Sequence, residues 1–436
     1  MKILIASKFL HHVGGVETYV RWLAHALADS GHEVGLFGMA PPAGADLMAL
    51  PEAPMWLTRT RSFEAGASER ARSALLSVWS PEAGRRMSRT LAEFRPDLVH
   101  FHGTCYQLTP SVVSAATKAG VPSVLTAHEF KLICANQTLF DDAAGAICTA
   151  CVGVSARTKV TAPLSRACMK GSRAVTLLGA AEGRVADRVW ERTDPRILAP
   201  SRFMRDLLVA DGRPDERIDY LDLPWRPASR LPRAGRPDQT GEARRNVVFL
   251  GRLSPVKGAD RLLRAWSAVA HEHPGARLRI LGDGSERASL EAEVAAHRIP
   301  RVDFLGHCDA TRIEAELAEA VVTVHPARWY ENSPFSVRES LMAGVPAIVS
   351  DLGGMPEMVG ASTGRVVPYQ DDAALVEALR DALTSDLAGS ERLRDQVLER
   401  SVTEEGHMEA LLEVYRQEIA AARASGGSPS AEDVPA

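Results

Sequence analysis

Short apolar runs alternate with amphipathic stretches along the first half of the chain. Residues 3–6 form an apolar run, and residues 16–28 show a helical spacing of apolar positions that ends at Gly31. Further apolar runs follow at 33–37, 97–101, 121–126 and 196–199. Buried strands that alternate with amphipathic helices are typical of βαβ units and a parallel sheet. The pattern therefore predicts an α/β domain over residues 1–223.

The alternation stops at residues 224–245 and then begins again. This segment contains four Pro and six Arg and almost no apolar residue, so we interpret it as a linker. Strands are then predicted at 247–250, 277–281, 302–305, 321–325 and 347–350, and helices from 259, over 372–384 and over 404–422. We expect a second α/β domain over 246–400, a last helix within 401–423 and a disordered tail over 424–436.

Residues 329–359 of the second domain carry a dense pattern of polar and small residues. Glu331 is followed by a Ser-Pro pair at 333–334, which predicts a helix start with the serine as N-cap. That helix would run over 334–343 and carry a second carboxylate, Glu339. A helix N-terminus presents unpaired N–H groups, which suit a bound phosphate or sugar hydroxyls. The stretch is therefore a candidate ligand site.

Composition and charge narrow the class of protein. With 436 residues, 45% hydrophobic and 24% charged, the chain has the composition of a soluble globular protein of two or three domains. A net charge of −4 argues against a nucleic-acid partner. We find neither a signal peptide nor an apolar run near the roughly 18 residues of a membrane helix. Six cysteines in so long a chain favour a reducing compartment, so we expect a cytoplasmic protein.

Two glycine-bounded loops, each between a strand and a helix, add candidate ligand contacts. Gly14 and Gly15 would let a ligand approach the backbone closely, although a tight turn without a ligand produces the same pattern. The loop over 251–258 carries Arg252 and Lys257. Arginine binds phosphate with two donors and lysine acts as a point charge, so this pair could clamp a diphosphate.

Because these motifs occur together and in this order, the chain resembles the retaining family 4 glycosyltransferases of GT-B fold. The resemblance covers nearly the whole chain. It rests on two glutamates separated by seven residues, the strand and the Gly-Gly-x-Pro-Glu loop that follow, and the loops at Gly14 and Arg252. It implies two Rossmann-like, doubly wound α/β domains that face each other across a cleft, with the last helix folding back on the first domain. The pattern departs from the family at 221–225, where relatives usually carry an Asn-Gly-Val-Asp-like turn.

The resemblance also implies roles for individual residues. Glu331 and the backbone N–H groups of 332–335 would hold the sugar, and Glu339 would accept hydrogen bonds from ribose hydroxyls. His128 would line the cleft near the sugar, although a lone histidine is more often a structural hydrogen-bonder. With Glu331 and His128 as catalytic residues, the implied donor-binding set is Gly14, Gly15, Arg252, Lys257, Gly306, His307, Asn332, Ser333, Pro334, Phe335 and Glu339.

Four cysteines lie in or near a loop over residues 130–170. Their spacing, Cys134, Cys148, Cys151 and Cys168, contains one Cys-x-x-Cys pair, which is a moderate signal for a structural zinc site. The segment has little apolar periodicity and would gain order from a metal. Reduced cysteines also pack commonly as small apolar residues. The sequence leaves both interpretations open.

The expected activity is transfer of a sugar from a UDP- or GDP-sugar to a glycan, lipid-linked or small-molecule acceptor. We expect no cofactor in catalysis, because no pair of aspartates stands where a metal-dependent enzyme would need it. A phosphorylase or epimerase of GT-B fold is one alternative, although a cofactor lysine for the pyridoxal type cannot be placed. A non-catalytic sugar-nucleotide-binding subunit is the other, but it would be expected to have lost Glu331, Arg252 or Lys257. Basic and aromatic residues over 56–96 predict either peripheral contact with the inner face of the membrane or a solvated helix pair.

Overall fold

A computed structural model describes the chain except for residues 12, 43–44, 46, 48–52, 60–66, 226–245, 385–390 and 427–436. The chain divides into two compact units, one of residues 1–223 with 405–436 and one of residues 224–404. Most of the predicted linker and of the predicted tail lies outside the described residues. No helix in the described part of the chain is long and apolar enough to cross a membrane.

The first unit is built on a parallel sheet of seven described strands, in the order β3-β2-β1-β4-β5-β8-β9. Its strands are β1 (Lys2–Ser7), β2 (Glu33–Met39), β3 (Met55–Thr58), β4 (Leu98–His102), β5 (Ser123–Thr126), β8 (Arg196–Ala199) and β9 (Ile218–Tyr220), with a separate hairpin of β6 (Phe140–Asp141) and β7 (Ala146–Ile147). Its helices are α1 (Gly15–Asp29), α2 (Ala67–Val78), α3 (Pro81–Phe94), α4 (Pro110–Lys118), α5 (Thr158–Arg166), α6 (Arg173–Thr193) and α7 (Arg202–Ala210). Strands buried on both faces of a parallel sheet are continuous apolar runs, which explains why most of them were predicted within two residues.

The second unit contains a parallel sheet of six described strands, in the order β12-β11-β10-β13-β14-β15. The strands are β10 (Asn246–Leu250), β11 (Arg277–Leu281), β12 (Val302–Gly306), β13 (Ala320–His325), β14 (Ala347–Ser350) and β15 (Gly364–Val367). The helices are α8 (Ala259–Val269), α9 (Arg287–His297), α10 (Ala310–Ala318), α11 (Phe335–Met342), α12 (Met355–Met358), α13 (Asp372–Thr384) and α14 (Glu391–Arg400). This strand order is that of the Rossmann fold.

The last helix, α15 (Glu404–Ala424), belongs to the first unit from residue 405 onward. Its buried residues recur on one face at helical spacing: His407, Met408, Leu411, Tyr415 and Ile419. Two buried hydrogen bonds attach this face to the sheet and to α1. Tyr415 bonds to Nδ1 of His100 at 2.6 Å, and His407 bonds to the hydroxyl of Tyr19 at 2.9 Å. His100 is thus part of the packing of α15.

Candidate active site

The strand order of the second unit places two loops side by side. β11 lies on one side of β10 and β13 on the other, so the chain reverses its direction of winding at this point. Loops that leave the carboxyl ends of two such strands diverge and open a crevice, where ligands bind in open α/β sheets. The loop after β10 carries Arg252 and Lys257, and the loop after β13 carries Glu331.

The loop after β10 is held close to the loop after β13 through Gly258. This residue has φ +73°, and a Cβ added there would stand 2.1 Å from the carbonyl oxygen of Pro326. The backbone N–H of Arg328 donates to Val256 at 2.8 Å, and the Arg328 guanidinium pairs with Asp260 on α8. These contacts explain the glycine at 258 in structural terms.

Glu331 and Lys257 meet where the two loops approach. The Lys257 ammonium bonds to Oε1 of Glu331, and the indole N–H of Trp329 donates to the same oxygen at 2.7 Å. Both partners are largely buried, with 13% of the Glu331 side chain and 23% of the Lys257 side chain exposed. Burial raises the pKa of Glu331, but the Lys257 charge and the two hydrogen bonds outweigh it, so the pKa lies below its ordinary value. The carboxylate is therefore ionised and oriented before any ligand binds.

The Gly353-Gly354 loop packs against the backbone of Glu331. The N–H of Gly354 donates to the carbonyl of Glu331 at 2.7 Å. Gly353 has φ +65°, and a Cβ there would lie 2.0 Å from the same carbonyl oxygen. Only glycine meets both conditions without a shift of the backbone. This loop fixes the position of Glu331 from the side opposite its carboxylate.

Replacing Gly353 by alanine should therefore destabilise the protein by about 1–3 kcal/mol beyond the cost of the left-handed conformation itself. The thermal unfolding midpoint measures this effect. Gly145→Ala is the matched control, because Gly145 has φ +62° but nothing within 4 Å of an added Cβ. Equal losses in the two variants would contradict the contact between Gly353 and the Glu331 carbonyl.

The helix after Glu331 begins one residue later than predicted. α11 starts at Phe335, Pro334 occupies the N-cap position, and no side chain caps the helix. The prediction of Ser333 as N-cap was wrong, because its hydroxyl accepts a hydrogen bond from the guanidinium of Arg338 instead. Arg338 is itself only 3% exposed and lies 4.5 Å from the ring centroid of Trp225. The N–H groups at the start of α11 thus lack the predicted serine cap.

Glu339 lies one turn into α11 and lacks the cationic partner that Glu331 has. Desolvation by the surrounding protein raises the pKa of Glu339, to about 7. Its side chain is nevertheless exposed, so hydroxyl groups of a ligand can reach the carboxyl group. The two glutamates therefore differ before a ligand arrives: Glu331 is held ionised, and Glu339 takes up a proton more readily than an ordinary glutamate.

Three residues beside these glutamates were not singled out from the sequence. Trp329 bonds to Glu331, and Arg338 bonds to Ser333. His325, at the end of β13, bonds to Thr323 at 3.1 Å and to Ser336 at 3.3 Å. Burial and the Lys257 charge together lower the pKa of His325 to about 3, against an opposing effect of the Glu331 charge. Trp329 and Arg338 lie inside the predicted stretch, but which of its side chains meet depends on how the loop folds.

Three other residues of the predicted donor-binding set in this unit, Arg252, Gly306 and His307, make no described contact with the pair of Glu331 and Lys257. Arg252 is exposed on the same loop as Lys257. Gly306 ends the edge strand β12 and His307 follows it; Gly306 has φ +71°, and a Cβ added there would lie 3.0 Å from the Arg287 guanidinium. They do not contact Glu331 through any hydrogen bond described for these residues. Asn332 lies between Glu331 and the helix, as the sequence requires.

In the first unit, Gly14 and Gly15 begin α1 as expected. Gly14 is the N-cap residue, and the carboxylate of Glu17 accepts backbone hydrogen bonds from Glu17 and Gly14. Burial raises the pKa of Glu17, and these hydrogen bonds oppose the shift. The start of α1 is thus partly satisfied by its own glutamate, a contact that the sequence pattern did not suggest.

His128 follows β5, at the carboxyl edge of the first unit's sheet. Its Nε2 bonds to Nδ1 of His102 at 3.1 Å, and the Tyr19 ring stands 5.5 Å away between centroids. Burial lowers the pKa of His128 to about 3, so the imidazole is neutral near pH 7. A neutral imidazole can donate or accept a hydrogen bond, but a base of such low pKa is a poor proton acceptor at this pH.

The four predicted cysteine ligands surround a small cavity of the first unit. It is lined by the loop before β6, by β6, by the residues after β7, by α5 and by Cys168 after it.

Two family descriptions match consecutive parts of the chain. The description "Glycosyl transferase 4-like domain" matches residues 14–224, and "Glycosyl transferases group 1" matches residues 236–400. The second range includes Arg252, Lys257, Glu331 and Glu339.

Characterised relatives match along most of their length. A glycogen synthase of Mycobacterium tuberculosis is 26% identical over 397 residues, which cover 88% of this chain and 85% of the relative. A GDP-mannose-dependent alpha-mannosyltransferase of Mycolicibacterium smegmatis is 27% identical over 416 residues, 94% of this chain and 97% of the relative.

Solved structures match over nearly the whole chain. Sucrose-phosphate synthase from Thermosynechococcus elongatus gives a TM-score of 0.67 at 19% identity, covering 96% of this chain and 99% of that one. Anabaena HepE in complex with UDP-glucose gives a TM-score of 0.63 at 17% identity, covering 98% and 100%.

Proposed function

This chain belongs to the group 1 glycosyltransferases of family 4 and has the GT-B fold, and from that premise we propose that it moves a sugar from a nucleotide-diphosphate sugar to an acceptor hydroxyl with retention of anomeric configuration. The observation that carries the proposal is the buried pair of Glu331 and Lys257 at the switch point of the second sheet. A pre-ionised carboxylate and an ammonium are fixed side by side where ligands bind in such sheets.

The donor diphosphate would bind to Lys257 and Arg252. The Lys257 ammonium has three N–H donors, and Glu331 accepts one of them, so others can meet phosphate oxygens. Arg252 is exposed on the same loop and could add a bidentate contact. The N–H groups at the start of α11, which have no side-chain cap, would add a third positive element. Together these groups can stabilise the departing nucleoside diphosphate.

Glu331 would act on the sugar and Glu339 on the ribose of the donor. The ionised Glu331 can stabilise the positive charge that develops at the anomeric carbon. Glu339 would accept hydrogen bonds from hydroxyl groups and ionise on binding. The relatives include an enzyme named for GDP-mannose and a solved structure with UDP-glucose, which supports a UDP- or GDP-sugar as donor.

Retention would follow from departure and attack on the same face of the sugar, as the chemistry of the family implies. The leaving phosphate would help to remove the proton of the acceptor hydroxyl. His128 is a weak base here because burial lowers its pKa, so we assign it a hydrogen bond to the sugar. The acceptor would be the hydroxyl of a glycan, a lipid-linked or a small-molecule acceptor.

A screen of nucleotide sugars for thermal stabilisation tests the proposal directly. A ligand present at 100 times its Kd stabilises the folded protein by about 2.7 kcal/mol. Stabilisation by a UDP- or GDP-sugar, followed by slow hydrolysis of that donor without an acceptor, is the expected result. Stabilisation without any hydrolysis or transfer would instead favour a binding subunit, and no stabilisation by any nucleotide sugar would contradict the proposal.

Catalysis should persist when a metal chelator such as EDTA is present. With Lys257, Arg252 and helix N–H groups on the diphosphate, kcat/KM should stay within about twofold in EDTA, because no step needs a Lewis-acid metal. Initial rates with and without brief EDTA treatment, with the total metal content of each sample measured alongside, check this. Complete loss of activity that Mg²⁺ or Mn²⁺ restores without refolding would contradict it.

A further inference from the structure

One cavity of the first unit is lined by four of the protein's six cysteines. Its wall consists of Cys134, Ala135, Phe140, Cys148, Ala150, Cys151, Pro163, Arg166 and Cys168. Cys134, Cys151 and Cys168 are each less than 9% exposed, and Cys148 is partly buried. The other two cysteines, Cys105 and Cys308, do not line it. Four sulfurs that are spread over 35 residues of sequence thus converge on one small space.

The segment that carries these cysteines contains little regular secondary structure. Between the turn at 130–132 and α6, its regular structure consists of the two-residue strands β6 and β7 and the nine-residue helix α5. The hydrophobic cluster here is small and consists of Ala135, Cys168, Met169 and Ala180, with Tyr106 and Val160 packed against it. Metal binding commonly stabilises small units with so little regular secondary structure.

The backbone around the first cysteine supplies hydrogen-bond donors to its sulfur. Backbone N–H groups of Leu139, Asn136 and Thr138 reach Cys134 from one tight loop. The carbonyl of Cys168 is also held in place, because the N–H of Asp142 donates to it at 3.0 Å. These contacts fix two of the four cysteines at the cavity wall.

All four cysteines line the same small cavity, so their side chains are neighbours. Four thiolates together in this space would repel one another unless a cation lay among them. All four cysteines are free thiols in the structure. In the described part of the chain, no group of His, Cys, Asp or Glu already stands in metal-ligand geometry, so the side chains would have to turn inward to bind a cation.

We propose that Cys134, Cys148, Cys151 and Cys168 bind one structural zinc ion in the first unit. Thiolates are soft ligands, and four of them around one ion match the tetrahedral preference of Zn²⁺. The four thiols release their protons to solvent as the Zn–S bonds form. The complex would carry a net charge of about −2, two positive charges against four negative, and Arg166 on the cavity wall provides a compensating charge. The ion would fix the segment that follows His128 and is independent of the donor site.

The full-length protein, purified under reducing conditions without chelator, should contain about one zinc ion per chain. Elemental analysis measures this. Growth with Co²⁺ should give the intense visible absorption of a tetrahedral thiolate complex, with thiolate-to-cobalt charge transfer in the near ultraviolet. Cys105→Ser and Cys308→Ser are the matched controls, because they remove a thiol that does not line the cavity, and both should keep the metal.

Cys151→Ser should reduce the zinc content to near zero, or change the cobalt spectrum if three ligands still hold the ion. Because this variant could fail to fold, a second measurement uses the unmodified protein: a mercurial reagent that titrates its thiols should release zinc in step with the loss of four of them. Absence of metal together with independent reaction of all four thiols would overturn the proposal. So would iron in place of zinc, a disulfide within the set, or full zinc content in a Cys148→Ser/Cys151→Ser double variant.

Discussion

Replacing Glu331 by glutamine should lower kcat by about 10²–10³-fold, the range found when one electrostatic stabiliser of a transition state is removed, with little change in the KM for the donor. The amide keeps the shape and can still accept from Trp329, but it no longer carries the charge that would stabilise a developing oxocarbenium-like centre. Lys257, freed from its partner, remains available to the donor diphosphate, so ground-state binding should not weaken. Steady-state kinetics with the donor varied at saturating acceptor measure both parameters.

Glu377→Gln is the control for this substitution. It makes the same change on the exposed surface of α13 in the same unit and should leave both parameters near those of the unmodified enzyme. If kcat/KM falls only because the donor KM rises, Glu331 stabilises the bound donor and the transition state equally. That result would contradict its assignment to the reacting sugar.

Replacing Glu339 by alanine should weaken donor binding by about 1.5–3 kcal/mol, the value of a charge-assisted hydrogen bond, or roughly 10- to 150-fold in Kd. The carboxylate is proposed to touch the ribose in the ground and transition states alike, so kcat at saturating donor should change little. Titration calorimetry with the nucleoside diphosphate alone measures the change in nucleotide binding without any contribution from the sugar. Loss of donor binding in the Glu331 variant and loss of kcat in the Glu339 variant would mean that the two roles are exchanged. Unchanged rates in both variants would show that this stretch is not part of the active site.

The pH dependence of donor binding gives a second measurement for Glu339. Its pKa is raised, to about 7, so the carboxyl group gains a proton as the pH falls through neutrality and then loses part of its capacity as an acceptor. Donor affinity of the unmodified protein should therefore rise with pH through this range. The amide of the Glu339→Gln variant does not titrate, so this rise of donor affinity with pH should be absent from the variant. A dependence that persists in the glutamine variant would assign it to another group.

The strands and the loops at their ends could be predicted because their signals are local. A strand buried on both faces is a continuous apolar run, as at 247–250, and the glycines of the strand-to-helix loops are visible in the sequence. The start of α11 could not be predicted correctly, because Ser333 had a partner, Arg338, that competes with the cap. Likewise, the bond from Trp329 to Glu331 depends on the conformation of a loop without a repeating pattern.

The long helix α6 was missed for a different reason. It contains Gly179 and Gly183, and glycine lowers helix propensity by about 1 kcal/mol per residue relative to alanine. Gly179 packs closely in the structure: a Cβ there would lie 2.3 Å from the sulfur of Met169, which would have to move. The contact partner lies in the irregular cysteine segment, so only the tertiary structure shows why the helix accepts a glycine.

The position of α15 has a consequence for the synthesis of the protein on the ribosome. The first unit needs the last helix, because Tyr415 and His407 bond to His100 and Tyr19 within it, and Leu411 packs in its interior. The second unit, by contrast, consists of residues 224–404 and is complete before that helix emerges. Until that helix is made, the apolar surface under Leu411, the Nδ1 of His100 and the hydroxyl of Tyr19 would lack the partners that α15 provides, while the later half folds.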